Sequence, residues 1–386
     1  MKIVHLCLYG PVMDGWNYQD NLLTKYHKKM GNDVTIIASK WIWGKNNKLE
    51  YFDRTNYYNE DGVKVIRLDI KKGKTVLSKF KRYSNIIKTI DNEKPDILFI
   101  HNAAYLDILK VVRYIKNNKS IRVFVDNHND FSNTARNIIS KYILHMGIWR
   151  IHYKLLEPYV EKFYGVLPAR VDFLRDVYGI NRKKTELLVM GVDDEQANKW
   201  SDVHFKKSFR RKYNIYENDF LIVTGGKIDA FKTQTLLLME AIKNIDRDNV
   251  KLIVFGSVDE CLKDKVKKLC YKNKIQYIGW IDSLDSYKYF SIADLVVFPG
   301  RHSVFWEQVA GQGIPMVCRY WSGTTHIDVG GNVKFLKEDK VDIIQKKIEE
   351  IINDKILYRN MKNIAKNKAM GKFSYKEISK VSIMEE

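Results

Sequence analysis

Residues 220–226 read FLIVTGG, and residues 227–242 continue as KIDAFKTQTLLLMEAI. The first run is continuously apolar, as expected of a strand that is covered on both faces of a parallel sheet. The apolar residues of the second run favour a helix. Because a buried strand that passes through glycines into a helix is the repeating unit of doubly wound folds, this stretch predicts a parallel sheet covered by helices.

Similar apolar runs occur on both sides of this stretch and form two series. The first series predicts strands at 2–8, 33–39, 63–68, 96–101, 122–128 and 163–168. The second predicts strands at 220–226, 250–256, 275–279, 294–300, 315–320 and 333–336. We therefore expect an α/β protein with two Rossmann-like, doubly wound domains, 1–192 and 193–368, and a C-terminal helix at 369–386 that could return to the first domain.

The composition excludes several classes of protein. With 386 residues, of which 45% are apolar, the chain can close two hydrophobic cores and is neither disordered nor fibrous. It has no apolar run of about 18 residues, and its first residues lack the pattern of a signal peptide, so we expect no membrane span. Without paired CxxC spacing, the four cysteines are expected to be buried reduced thiols in a cytoplasmic protein.

The candidate chemistry follows the strands, because open parallel sheets bind ligands beyond their carboxyl ends. After the strand at 220–226, Gly226 lets the backbone pass close to a ligand, and Lys227 and Lys232 stand before a helix start. Two ammonium groups and a helix N-terminus suit a diphosphate. The alternative is a solvated basic loop.

After the strand at 294–300, Arg301, His302 and Ser303 precede Glu307. Polar side chains and free N–H groups at this strand end could face an anion, or Ser303 could cap the next helix. Glu307 is expected in the first turns of that helix. There it could stabilise the helix dipole or accept both hydroxyls of a ribose.

The first series carries its candidate residues after its first and fifth strands. Gly15 lies in the loop at 10–23, which is not a GxGxxG motif, and no acidic residue follows the second strand. Both facts argue against nicotinamide dinucleotide binding. His128 and Asp130 follow the strand at 122–128, where His128 is either a catalytic residue or a packed or capping one.

Taken in order, these segments resemble the GT-B glycosyltransferases, specifically the retaining family-4 type that acts on nucleotide sugars. The resemblance covers nearly the whole chain. It rests on MKIVH at 1–5, KPDILFIH at 94–101, VDNH at 125–128, MGVDDE at 190–195 and EQVAGQGIPMV at 307–317, together with the stretch that opens the second series. It implies that the two domains face a central cleft.

The resemblance also implies roles for individual residues. Lys227 and Lys232 would hold the donor diphosphate, Glu307 the nucleotide ribose, and His128 the transferred sugar. Pro299 stands eight residues before Glu307, so the first glutamate of the family's Glu-x7-Glu motif is missing. The catalytic candidates are thus His128, Lys227, Lys232 and Glu307. The donor-binding candidates are Gly15, Gly226, Lys227, Lys232, Gly256, Trp280, His302, Ser303, Val304 and Glu307.

The implied function is that of a metal-independent, retaining hexosyltransferase of the type that builds bacterial surface polysaccharides. It would move a sugar from a UDP-sugar, or alternatively a GDP-sugar, to a saccharide or a lipid-linked acceptor. The one Asp-x-Asp triplet, 246–248, precedes a strand and so lies away from the ligand edge, and no metal ligand is predicted. The alternatives are a non-catalytic GT-B binding subunit, a nucleotide-sugar epimerase and a polyol-phosphate transferase.

The net charge of +20 raises the question of an anionic partner. The strongest basic run, 71–88, is interleaved with apolar residues and is expected either to contact an anionic membrane from the cytoplasmic face or to form a solvated helix. Because the remaining charge is spread along the chain without a known module, nucleic-acid binding is not expected.

Overall fold

The computed structural model describes residues 1–44, 48–70 and 81–385. The chain forms two compact units. The first contains Met1–Val189 and the residues from Ile378 onward, and the second contains Met190–Glu377. Val192, where the sequence places the boundary, lies in the second unit because its N–H donates to the Phe373 carbonyl (2.7 Å) and its carbonyl accepts from Tyr375 N (3.2 Å).

The first unit is built on a sheet of eight strands and a separate two-stranded ribbon. Its strands are β1 (Lys2–Cys7), β2 (Asp33–Ser39), β3 (Trp41–Trp43), β4 (Leu49–Tyr51), β5 (Asn56–Tyr58), β6 (Lys64–Leu68), β7 (Ile97–His101), β8 (Arg122–Asn127), β9 (Lys162–Gly165) and β10 (Thr185–Leu187). The sheet order is β10-β9-β8-β7-β1-β2-β6-β5, and every pair is parallel except β5 with β6. Strands β3 and β4 form the ribbon.

Helices cover this sheet. They are α1 (Gln19–Lys29), α2 (Ile86–Glu93), α3 (Ile108–Asn117), α4 (Arg150–Leu156) and α5 (Pro168–Asp176). A π-helix at Ile139–Trp149 leads directly into α4, and short 3₁₀ turns lie at Glu157–Tyr159 and Arg182–Lys184. The buried face of α3, formed by Ile108, Val111 and Ile115, packs into the same core as β7 and β8. This packing is what the continuous apolar strands predict.

The second unit contains a wholly parallel sheet in the order β13-β12-β11-β14-β15-β16. Its strands are β11 (Phe220–Gly225), β12 (Val250–Phe255), β13 (Ile275–Tyr277), β14 (Leu295–Phe298), β15 (Met316–Arg319) and β16 (Val333–Leu336). The order reverses between β11 and β14. This switch point is where doubly wound sheets place their ligands.

The helices from the second unit onward are α6 (Asp194–Lys199), α7 (Val203–Arg211), α8 (Gln234–Asn244), α9 (Lys263–Leu269), α10 (Ser286–Ser291), α11 (Phe305–Gly311), α12 (Val341–Asn353), α13 (Lys355–Ile364), α14 (Met370–Lys372) and α15 (Tyr375–Ser382). Shorter turns lie at Glu260–Leu262, Thr325–Ile327 and Ala365–Ala369. Helix α15 begins in the second unit, and its residues from Ile378 belong to the first. The chain therefore returns to the first unit nine residues later than 369, where the predicted terminal helix starts.

The fold class predicted from the sequence is confirmed, since both large sheets are parallel in the predicted strand series. Strands β3, β4, β5 and β10 were not predicted. The prediction of buried cysteines is wrong for two of four free thiols: Cys7 and Cys318 are buried, but Cys261 is exposed and Cys270 half-buried. Cys261 lies in the 3₁₀ turn before α9, at the surface.

The helices described here include none that combines the length and the apolar character needed to span a bilayer. Of the basic run 71–88, to which the predicted membrane contact refers, residues 71–80 lie outside the described residues, and residues 81–88 lead into α2.

Candidate functional site

Two glycines bring the loops after β11 and β12 into backbone contact. Gly226 and Gly256 both have left-handed φ angles, +138° and +128°. A Cβ built at Gly256 would lie 2.0 Å from the carbonyl oxygen of Gly226, which no side chain can tolerate. The conformation thus requires glycine at 256, and it holds the loop that carries Lys227 against its neighbour.

Lys227 is held by two carboxylates. Its Nζ lies 3.3 Å from Asp229 Oδ2 and 3.4 Å from Asp259 Oδ1, and its side chain is 51% exposed. The hydrogen bond to Asp229 and the charge of Asp259 raise its pKa. Lys232 is exposed and forms no ion pair with a described residue, and its backbone N–H donates to the Asp229 carbonyl (2.9 Å). One of the two predicted cations is therefore paired, and the other faces solvent.

Glu307 lies in the first turn of α11, as predicted, and is fully buried. Its Oε1 accepts from His302 Nε2 at 2.7 Å and from His326 Nε2 at 3.0 Å. Burial raises the pKa of this carboxyl, but the two histidines outweigh burial and lower its pKa to about 2. Oε2 is buried with no hydrogen-bond partner among the described residues. One carboxylate oxygen, instead of the two needed for bidentate ribose binding, thus remains available.

The start of α11 differs from the helix-capping interpretation of Ser303. The residue before the helix is Val304, and no side chain caps the helix. Ser303 instead contributes its backbone carbonyl, which accepts from Trp306 N at 3.0 Å. His302 packs edge-on against the Trp306 ring (5.1 Å between centroids), which orients its imidazole toward Glu307.

The loops after β11, β14 and β15 meet at one edge of the second sheet. A Cβ built at Gly300, after β14, would lie 3.5 Å from Oε1 of Gln234, the first residue of α8. Trp321, after β15, donates from Nε1 to the Gly300 carbonyl (3.4 Å). Lys227 and Lys232 thus leave the sheet at the same edge as Glu307. Among the described contacts, however, Lys227 pairs with aspartates and Glu307 with histidines, and none of these contacts joins the two groups.

Trp280 lies at the same edge, after β13. Its indole is 68% exposed. The loops after β12 and β13 are joined there by a hydrogen bond from Gly256 N to the Gly279 carbonyl (2.8 Å). A large exposed aromatic ring beside a fixed backbone is suited to stacking on a flat ligand.

In the first unit, His128 follows β8 and contacts Asp126. Its Nε2 lies 3.4 Å from Asp126 Oδ1, and its side chain is 30% exposed, whereas the Asp126 side chain is fully buried. Asp126 Oδ2 lies 2.7 Å from His101 Nδ1. Gly15, in the loop between β1 and α1, has φ +74°, and its N–H donates to Glu60.

Asp130, which follows His128 after β8, is a carboxylate that could serve as a base, but its own turn occupies it. Its Oδ1 accepts from the backbone of Ser132 (2.7 Å) and of Asn133 (3.2 Å), and its Oδ2 accepts from Arg170 Nε (3.1 Å). These bonds give it a structural role.

Four residues of these clusters were missed by the sequence analysis. Asp259 follows β12, and His326 follows Glu307 by 19 residues. His101 is the last residue of β7, and Asp126 is the second-last residue of β8. The polar residues at the ends of ILFIH and RVFVDN were the available signal for His101 and Asp126. No signal in the sequence pairs His326 with Glu307.

His302, Glu307 and His326 also place three potential metal ligands within 4.8 Å of one another. Direct hydrogen bonds of 2.7 and 3.0 Å already join these atoms. The cluster thus consists of a carboxylate between two imidazoles.

Comparison with known proteins agrees with this architecture. Residues 205–368 match the family model described as glycosyl transferases group 1, and residues 21–196 match the model described as glycosyltransferase family 4. An uncharacterized glycosyltransferase of Methanocaldococcus jannaschii is 24% identical over 225 residues, which are 54% of this chain. The match spans about half of that relative, 55% of its length.

Solved structures share the fold over the whole chain. A glycosyltransferase from Rickettsia africae ESF-5 superposes with a TM-score of 0.69 at 15% identity, over 99% of this chain and 97% of that one. HepE of Anabaena in complex with UDP superposes with a TM-score of 0.68 at 14% identity, over 99% and 98%. The protein thus has the GT-B fold of glycosyltransferases. It belongs to the family-4-like glycosyltransferases of this fold, as the two family models together indicate.

Proposed function

We propose that the protein transfers a sugar from a nucleoside-diphosphate sugar to a saccharide or lipid-linked acceptor, with retention of configuration and without a metal ion. The observation that carries the proposal is the shared sheet edge of the second unit, along which the Lys227–Lys232 loop, the start of α8 and Glu307 with its two histidines all lie. A UDP-sugar is favoured because HepE, of similar fold, is solved with UDP. A GDP-sugar is the alternative.

Transfer builds negative charge on the departing diphosphate, and this edge supplies positive charge to receive it. Lys232 is exposed with its ammonium unpaired among the described residues, and the N-terminus of the eleven-residue α8 follows. Lys227 would exchange Asp229 or Asp259 for a phosphate oxygen. Fixed cations and a helix N-terminus of this kind can stabilise a leaving diphosphate without a metal.

We assign the ribose and the base of the donor to residues at the same sheet edge. Glu307 Oε2, buried and without a partner, would accept a ribose hydroxyl, and exposed Trp280 would stack on the base. Gly226 and Gly256 let the backbone approach the phosphates, and His302, Ser303 and Val304 line the start of α11. We assign donor binding to the second unit on these grounds.

The first unit is assigned the acceptor and the reacting sugar, with Gly15 in its first loop and His128 after β8. In a retaining transfer the acceptor can approach the face that the diphosphate leaves, and its proton can pass to the departing phosphate oxygen. No carboxylate base is then needed, and the occupied state of Asp130 agrees with this route.

The test is the double variant Lys227→Ala/Lys232→Ala. Because one preorganised charge donor contributes about 10²–10³ in kcat, we expect loss of turnover by at least about a hundredfold, measured as UDP release from a panel of UDP-sugars. The matched control is Lys263→Ala, an exposed lysine paired with Glu260 in the same unit, which is expected to leave turnover unchanged.

Two outcomes count against the proposal. Unchanged turnover in the double variant, with an unchanged melting temperature, overturns the role of the two lysines. Thermal stabilisation of the wild type by UDP without turnover on any donor points instead to a binding subunit.

A further inference from the structure

Three imidazoles form a hydrogen-bonded chain through the interior of the first unit. His101 Nε2 lies 2.9 Å from His5 Nδ1, and His5 Nε2 lies 2.9 Å from His27 Nδ1. The chain ends at Asp126 Oδ2, 2.7 Å from His101 Nδ1, and at the Ser379 carbonyl, 3.0 Å from His27 Nε2. All three rings are buried. The chain thus joins the C-terminal segment to the carboxylate that contacts His128.

The hydrogen bonds of this chain require one proton more than three neutral imidazoles carry. Both ends, a carboxylate and a backbone carbonyl, can only accept hydrogen bonds. The four bonds therefore need four N–H groups, whereas three neutral imidazoles carry three. One additional proton must be present for every bond to form, and the low dielectric of the interior makes an unmade bond costly.

The Ser379 carbonyl fixes one end of the chain, because His27 must donate to it from Nε2. The additional proton then lies on one of the three rings. If His27 and His5 are neutral, His27 Nδ1 accepts from His5 Nε2, and His5 Nδ1 accepts from His101 Nε2. In this arrangement His101 donates from both nitrogens, one to His5 and one to Asp126, and is an imidazolium.

Ser382 does not change this direction. Its Oγ lies 2.9 Å from His27 Nε2 and donates to the Ser379 carbonyl at 2.8 Å. If its single proton went to His27 instead, the bare Nε2 would face the Ser379 carbonyl oxygen at 3.0 Å, with two lone pairs opposed and no proton between them. The hydroxyl therefore acts as a second acceptor for His27.

The charges around His101 place the additional proton on this ring and not on His5 or His27. The titratable groups that face it are Asp126 from β8, Asp20 from α1 (3.1 Å), and Cys7 and His5 from β1. Burial lowers the pKa of His101, but the nearby carboxylates outweigh burial and hold this pKa well above its ordinary value. Burial lowers the pKa of His27 to about 4 and places that of His5 well below its ordinary range. One proton fits on His101 and none on the other two.

We propose that His5, His27 and His101 are positioning residues: contact of the Ser379 carbonyl with His27 fixes a proton on His101, and this imidazolium holds Asp126 as the carboxylate that orients His128. The effect on His128 rests on the proposed function, whereas the proton on His101 does not. When Ser379 leaves His27, the fourth acceptor is lost and the chain can become neutral. Contact of the C-terminal segment with His27 would thereby determine whether His101 is charged. His101 contacts Asp126, and Asp126 contacts His128, the residue assigned to the reacting sugar.

The first test reads the proton directly. In ¹⁵N-histidine-labelled full-length protein at pH 8, NMR is expected to show both nitrogens of His101 protonated, with His5 and His27 neutral. His27→Ala is expected to make His101 titrate at a lower pH. His27→Gln should restore it, because its amide can accept from His5 and donate to Ser379. A neutral His101 in the wild type at pH 8, or the same titration in His27→Ala, overturns the proposal, and the wild-type spectrum decides even if the variant does not fold.

The second test reads the consequence for turnover. His27→Ala should match the wild type at acidic pH, where His101 is protonated in both, and fall by about tenfold in kcat at pH 8 with little change in donor KM. A purely structural role predicts an equal loss at every pH and no rescue by His27→Gln, and that result overturns the positioning role. Absence of turnover in the wild type would contradict the proposed function while leaving the NMR result to stand alone.

Discussion

Replacing Glu307 by Gln removes a buried charge that two histidines stabilise. In the protein, Oε1 accepts from His302 Nε2 (2.7 Å) and His326 Nε2 (3.0 Å), and the side chain is fully buried. Glutamine has nearly the same shape but no charge. Its single carbonyl oxygen can still accept from both histidines in the place of Oε1, so the change removes the charge while it leaves the two hydrogen bonds possible.

The size of the effect follows from the carboxyl pKa, which the two histidines lower from 4.5 to about 2. At about 1.4 kcal/mol for each tenfold change in acidity, this difference corresponds to about 3 kcal/mol of stability. Because the folded-state pKa is the lower one, the stabilisation is complete above the ordinary pKa of 4.5 and is lost as the pH falls through about 2. A loss of about 3 kcal/mol should lower the melting temperature of the second unit by about 6–12 °C.

The assay is differential scanning calorimetry of both proteins between pH 8 and pH 4. We expect a constant difference in melting temperature from pH 8 to about pH 5 and a smaller difference at pH 4. A difference below about 2 °C at neutral pH, or one that grows on acidification, would refute the reasoning. Titration of each protein with UDP and 2′-deoxy-UDP then tests the ribose contact. The 2′-hydroxyl should strengthen binding to the wild type more than to the variant.

Two further predictions concern the loops of the donor edge. Asp259→Asn removes one of the two carboxylates on Lys227 and should tighten UDP binding by about two- to fivefold in calorimetric titration, because a competing exposed anion is lost. Weaker binding would contradict this competition. Gly256→Ala, with its Cβ 2.0 Å from the Gly226 carbonyl, should cost about 3 kcal/mol and lower the melting temperature by about 6–12 °C. Gly10→Ala, whose Cβ meets no atom within 4 Å, is the control, and equal melting temperatures for the two variants would disprove the clash.

The strands that the sequence predicts are those with continuous apolar runs, such as β1 and β11, since burial on both faces leaves that pattern in any context. Strands β3, β4, β5 and β10 have three residues each and were missed. LEY in β4 is exposed at every position, so it carries no periodicity from which a strand could be recognised. Its pairing with β3 depends on tertiary position.

The site was predictable where its residues follow a strand directly, as Lys227 and Glu307 do. Their partners were not, because Asp259 and His326 arrive from other loops of the sheet. The histidine chain could not be predicted from the sequence either, because its members come from different elements. His5 lies within an apolar strand, and only the parallel register of β1 with β7 brings it within hydrogen-bond distance of His101.

Each unit contains a buried carboxylate that two histidines stabilise. Asp126 and Glu307 are fully buried carboxylates, and an isolated buried charge is strongly unfavourable. Each lies beside two imidazoles: Asp126 contacts His101 and His128, and Glu307 contacts His302 and His326.

In both clusters one carboxylate oxygen accepts short hydrogen bonds while the other, Asp126 Oδ1 or Glu307 Oε2, is buried without a hydrogen-bond partner among the described residues. A structural ion pair gains nothing from an unsatisfied acceptor, because a buried oxygen that has lost water without gaining a donor raises the free energy of the fold. We therefore expect each of these oxygens to gain a donor when substrate binds. Under the proposed function, the donor to Glu307 would be a ribose hydroxyl. For Asp126 it is the His128 ring, 3.4 Å away, which a small rotation against a bound sugar would bring into hydrogen-bond distance.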